Sequence, residues 1–192
     1  MRCVETFIAK CVESGYISQD KAPWLRYALE KRILSVIITI PLLYVGTKIS
    51  SFNAAIAFYI SIRSIRSYTN GVHAKSFIGC FCVSLISEIC FLAVLRHLLT
   101  FEIKIILTLI SLILIWYLAP YNHPNMALSE EEISLCASKA KKRTIVMVAV
   151  TLVLEAISVL DAAEGILLGL MMTAMMLVIA YFQKEVRLNE CE

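Results

Sequence analysis

Apolar residues fall in six long blocks along the chain, at 33–48, 52–65, 77–95, 103–119, 144–160 and 166–182. A helical crossing of a bilayer takes roughly 20 such residues. The pattern therefore predicts about six membrane-spanning helices and no sheet. The second block is short and carries Arg63 and Arg66 near its end. Ahead of the first block, Val4, Phe7, Ile8, Cys11 and Val12 recur at the period of one helix face, with Arg2, Glu5, Lys10 and Glu13 off that stripe. This predicts an amphipathic helix at the membrane surface. Trp24 and Tyr27, set among Lys21, Arg26, Lys31 and Arg32, fit an interfacial boundary. The organisation expected is an N-terminal region 1–32, a six-span domain 33–183 and a tail 184–192.

Composition strengthens the membrane reading. Hydrophobic residues make up 59% of the 192, charged residues only 17%, and the mean hydropathy is +0.78. Soluble domains carry about a quarter charged residues. The N-terminus lacks a short apolar core followed by a small-residue cleavage site, so the first block is expected to stay as a span.

The placement of Lys and Arg orients the spans. With a cytoplasmic N-terminus and six crossings, the outer turns hold Lys48, Arg96 and Lys104, and the other fifteen of the 18 basic residues lie inside. Both termini are then cytoplasmic. The longest polar connection, 120–143, is cytoplasmic too. In it Ser129 and Glu132 form a capping-box signature, and the connection ends on Lys139, Lys141, Lys142 and Arg143.

The seven cysteines (Cys3, Cys11, Cys80, Cys82, Cys90, Cys136 and Cys191) form no paired spacing, and a disulfide framework is not expected. The densest reactive group lies in segment 63–82, which contains Arg66, Gly71, His73 and Cys80. A His beside a Cys suggests an activated thiolate. On one continuous helix the pair would stand about 10 Å apart along the axis, too far for proton transfer. The chain must therefore bend between them. Asn70-Gly71 is a turn signal, and Ser76 is a candidate N-cap that would put Cys80 about one turn into the third span. A helix N-terminus and a nearby imidazolium both lower a thiol pKa. Zinc ligation by His73, Cys80, Cys82 and Cys90 is disfavoured, because Cys80 and Cys82 diverge by about 200° on a helix. No metal or cofactor is expected. Two acids, Glu88 and Glu155, fall inside predicted spans, where a carboxylate is costly and calls for a role.

The string Arg66-x4-Gly71-x-His73-x6-Cys80 at the start of a span resembles the accessory gene regulator B family. These are Gram-positive membrane peptidases that process quorum-sensing propeptides. The segment from Ala119-Pro120 to Leu128, before a basic cluster, is similar as well, and the likeness covers nearly the whole chain. Asn70 departs from the family, where a second glycine is common. The resemblance implies that Cys80 is the nucleophile and His73 its base, with Arg66 and Gly71 shaping the site. It implies endoproteolysis through a thioester, followed by cyclisation to a thiolactone or lactone. The partners implied are a short amphipathic propeptide with an acidic tail, the plasma membrane and a second copy of the chain, with no nucleic acid. Lys139, Lys141, Lys142 and Arg143 could hold the acidic tail, and Glu88 lies near the Cys80 helix face. The alternative from a different class is a small-peptide transporter or scaffold without chemistry. A thiol-reactive probe separates the two, since a transporter has no need of one cysteine more reactive than the rest.

Overall fold

The computed structural model describes residues 2–69, 77–98, 100–121 and 129–189, and among these every regular element is helical. Helix α1 spans Arg2–Glu13, and a short 3-10 turn at Gln19–Lys21 leads into α2, Ala22–Ile49. Next come α3, Phe52–Thr69, and α4, Phe77–Ile89. Helix α4 passes through a π-helical stretch, Cys90–Leu95, into the single turn α5, Arg96–Leu98. The chain closes with α6, Phe101–Leu118, α7, Glu130–Ala156, and α8, Leu160–Asn189. The six predicted blocks fall mainly on α2, α3, α4 with its π stretch, α6, α7 and α8.

The chain divides into two compact units, 1–42 and 43–192. The division falls beside Pro41, which cannot donate a backbone hydrogen bond within α2. In the first unit the predicted apolar stripe of α1 is realised in part. Val4 and Ile8 are buried, while Phe7 is exposed. Gly15 ends the helix with a positive φ of 71°. The Tyr16 N–H donates to the Cys11 carbonyl and the Gly15 N–H to the Val12 carbonyl, both at 3.0 Å, which satisfies two of the carbonyls in the last turn. Glu5 and Arg26 pair at 2.6 Å. Both are about half exposed, so the pair contributes little.

In the second unit α8 is the central helix and packs against α3, α6 and α7. Close approach to α3 depends on two glycines one turn apart. A Cβ on Gly165 would collide with the Ala54 carbonyl, and one on Gly169 would stand 2.8 Å from Ser61 Cβ and 2.9 Å from the Phe58 carbonyl. Where the backbones nearly touch, the Ser61 hydroxyl donates to the Ile166 carbonyl at 3.2 Å. Small residues spaced by four are how helices pack when no water is available to drive them together.

The polarity of α6 and α7 is inverted relative to a soluble bundle. On α6 the buried positions include Thr108 and Ser111, while Ile106, Leu109, Ile110 and Ile113 face outward. On α7, Thr144 and Thr151 are buried, while Ile145, Val146, Leu152 and Val153 are exposed. The buried hydroxyls donate to carbonyls four residues back, for example Thr108 to Lys104 at 2.7 Å and Thr151 to Met147 at 2.9 Å, so burial strands no donor. Among the described residues one helix, Leu160–Gln183, is long and apolar enough by itself to cross a membrane, while Val36–Ile49 and Phe81–Val94 are shorter apolar stretches. On length and hydropathy the described helices thus meet the expectation of six spans at one position. Helix α3 carries Arg63 and Arg66 in its own length, and α7 opens on Glu130, Glu131 and Glu132.

At one end of this unit three interhelical connections meet. Arg96 Nε donates to Glu164 Oε2 at 2.7 Å and Arg96 also pairs with Asp161. A further Arg96 nitrogen donates to the Ser50 hydroxyl at 2.9 Å. Lys104 pairs with Glu164 and donates to the Arg96 carbonyl at 2.8 Å. The two cations are only 14% and 13% exposed, so they are paired where water is largely excluded.

Candidate functional site

The opposite end of the same unit gathers most of the describable site residues. Helix α3 ends there on Arg66, Ser67, Tyr68 and Thr69, with Arg66 partly buried and Thr69 fully so. The Thr69 carbonyl accepts a hydrogen bond from the Tyr121 N–H at 2.9 Å. Tyr121 follows a cis Ala119–Pro120 bond, is buried, and meets Tyr181 of α8 edge-on with ring centres 5.5 Å apart. The chain leaving α3 and the chain leaving α6 are thus pinned to each other. The segment with Asn70, Gly71 and His73 departs from the first, and the Asn122-His123-Pro124 segment from the second.

Gly71, His73 and the proposed N-cap Ser76 lie outside the described residues. Cys80 lies within α4, and its side chain lies outside the described set.

The polar connection expected over 120–143 is helical from Glu130 onward. The capping box is present as read. The Ser129 hydroxyl accepts from the Glu132 N–H at 3.3 Å, and a Glu132 carboxylate oxygen accepts from the Ser129 N–H at 3.0 Å. This fixes where α7 starts, and so which way each basic side chain points. Lys139 and Arg143, four residues apart, both lie over the Tyr68 ring, at 5.6 and 5.9 Å from its centre. Lys141 lies over Trp116 of α6 at 4.7 Å, and Lys142 is exposed. What reads as one basic cluster along the chain is divided between two aromatic platforms on two different helices. Sequence reasoning missed Tyr68, Trp116, Tyr121 and Tyr181. The available signal was an aromatic residue in the last turn of both α3 and α6.

Glu88 is set apart from this group. It is 6% exposed, and its carboxylate faces Gly46 of α2, four residues before Ser50, toward the end that holds the Arg96 cluster. It lies about 12 Å along α4 from Cys80.

No curated protein and no solved structure matches the chain. The family described as Accessory gene regulator B matches residues 4–180, nearly the full length, and the chain belongs to that family of membrane-associated proteins that process quorum-sensing propeptides.

Proposed function

We propose that this chain is a membrane cysteine endopeptidase that cleaves a short autoinducing propeptide and promotes its cyclisation. In the proposed reaction His73 takes the Cys80 thiol proton as the sulfur attacks the scissile carbonyl. The peptide C–N bond breaks, the proton passes to the leaving amine, and the acyl group remains on Cys80 as a thioester. A Cys or Ser within the bound peptide then attacks that thioester. The C–S bond to Cys80 breaks, the proton of the attacking thiol or hydroxyl passes through His73 to the Cys80 sulfur, and a thiolactone or lactone is released. A thioester conserves acyl-transfer potential, and a nucleophile already held in the same peptide has a large proximity advantage over water.

The observation that carries this reading is the Thr69–Tyr121 hydrogen bond at one end of the bundle, with the basic residues of α7 resting on Tyr68 beside it. It brings the chain leading to His73 next to cations suited to an acidic peptide tail. Lys139 and Arg143 are the pair proposed to hold that tail. The outward apolar faces of α6 and α7 support lipid contact. The proposal takes six spans, with both termini cytoplasmic as the placement of Lys and Arg implies. On that topology Ser50, Arg96, Lys104, Asp161 and Glu164 share the outer side and the Tyr68 end is cytoplasmic.

The test is propeptide cleavage by full-length variants in membranes. Cys80→Ser and His73→Ala are expected to abolish cleavage while expression and insertion stay at wild-type level. Cleavage at the wild-type rate by Cys80→Ala would overturn the assignment.

A further inference from the structure

We propose that the seam between α6 and α7 at the Tyr68 end binds an anionic phospholipid headgroup through Lys141, which lies above Trp116, and its exposed neighbour Lys142. The proposal rests on the membrane reading given above and assigns these two lysines a ligand other than the peptide.

The starting point is the division of the basic residues. Lys139 and Arg143 share one face of α7 and turn to Tyr68. Lys141 is about 200° around the helix from Lys139 and turns to Trp116 on α6 instead. Trp116 is 44% exposed and its neighbour Tyr117 is 80% exposed. Both continue the outward stripe of Ile106, Leu109, Ile110 and Ile113, at steps of three and four residues. From Ile106 to Trp116 that stripe runs about 15 Å. On α7 the exposed positions Val153, Val146 and Ile145 lead in the same way to Lys142. Helices α6 and α7 are in contact. Two outward apolar stripes therefore end together on an aromatic pair and two ammonium groups.

That arrangement matches the build of a phospholipid, with acyl chains along the stripes and a phosphate at their end. An aromatic ring attracts the ammonium charge without using up its three N–H donors, so Lys141 is held in place and still able to bind phosphate oxygens. Among the described residues no carboxylate pairs with Lys141 or Lys142, and Glu130, Glu131 and Glu132 lie at least nine residues back along α7. The acidic tail of a peptide suits this corner less well, because the surface beneath the cations is apolar and faces away from the bundle.

The test uses the full-length protein in vesicles of phosphatidylcholine with and without phosphatidylglycerol. Retained lipid is weighed by native mass spectrometry after gentle detergent release. Phosphatidylglycerol is expected to be retained in preference to phosphatidylcholine. Lys141→Gln combined with Lys142→Gln should lower that retention at least about fivefold, from the contribution of cations near an anionic surface. Lys141→Arg should keep it, and Lys139→Gln with Arg143→Gln should leave it unchanged. Equal retention of both lipids, or a loss in the Lys139/Arg143 pair as large as in the Lys141/Lys142 pair, would overturn the proposal. So would displacement of phosphatidylglycerol by millimolar inorganic phosphate or by an acidic peptide. Flotation with phosphatidylcholine vesicles alone checks the membrane reading separately. Protein that floats without selecting phosphatidylglycerol refutes only the headgroup site, and protein that does not float refutes both.

Discussion

The Glu88 carboxylate on α4 occupies the space that a side chain on Gly46 of α2 would need. A Cβ at Gly46 would stand 2.5 Å from Glu88 Oε1 and 3.1 Å from the Ala55 Cβ. The other oxygen, Oε2, is buried without a hydrogen-bond partner among the described residues. A fully buried polar atom without a partner costs stability, so this contact is maintained against a penalty.

Gly46→Ala is therefore expected to lower stability by about 1–3 kcal/mol, the usual cost of an added methylene in a filled interior. In a Glu88→Ala background the same change should cost clearly less, since the carboxylate it displaces is gone. Thermal unfolding of the four proteins in one detergent measures the coupling. Equal costs in the two backgrounds would show that the α2 backbone, and not Glu88, sets the requirement for glycine.

Gly165→Ala should be worse than Gly46→Ala, at about 3 kcal/mol. The obstruction at Gly165 is the Ala54 backbone carbonyl, which cannot swing aside as a carboxylate can. Ser61→Ala, which removes one hydrogen bond to the Ile166 carbonyl, should cost only about 1 kcal/mol. The same unfolding assay ranks the three, and a Gly165→Ala protein as stable as wild type would refute the close α3–α8 approach.

Arg96 holds Glu164, Asp161 and Ser50 together from a largely buried position. Arg96→Ala should destabilise by about 2 kcal/mol, below the roughly 3–5 kcal/mol of a fully buried pair because Asp161 is 46% exposed and can recover water. Lys104→Ala should cost more when Arg96 is already absent than in the wild type, because Glu164, served by both cations, is then left without a partner. Strict additivity in the double mutant would argue against a shared network.

Replacing Lys139 and Arg143 with Gln should raise KM for the propeptide severalfold and leave kcat nearly unchanged. The effect should be larger at low ionic strength, where exposed charges act over a longer range. Processing that is unaffected at any salt concentration would remove the tail-docking role.

Ser129→Ala should cost about 1 kcal/mol through loss of the N-cap, and Ser129→Asp should restore most of it. Hydrogen exchange at the first turn of α7 reads this locally, because the Glu132 N–H loses its acceptor.

Much of the architecture was legible because it is local. Helix class and element order follow from apolar spacing, and each of the six blocks found its helix. The Ser129–Glu132 box marked the start of α7 to the residue, since N-cap chemistry involves only four consecutive positions. The basic connection was the place where a linear reading fell short. Treated as one cluster in a polar stretch, Lys139, Lys141 and Arg143 in fact ride on a helix whose rotation sends them to different neighbours.

The amino-acid sequence alone determined that the chain is helical and where its helices run. These depend on periodicity and on residues a few positions apart. The tertiary structure decided what depends on distant partners. It set Glu88 against Gly46, and Gly165 against Ala54. It gave Arg96 its partners in Ser50, Asp161 and Glu164, and tied Thr69 to Tyr121. In none of these pairs does helical period or local propensity specify the partner. Each exists only because packed helices with small residues at their crossings can bring those backbones and charges within reach.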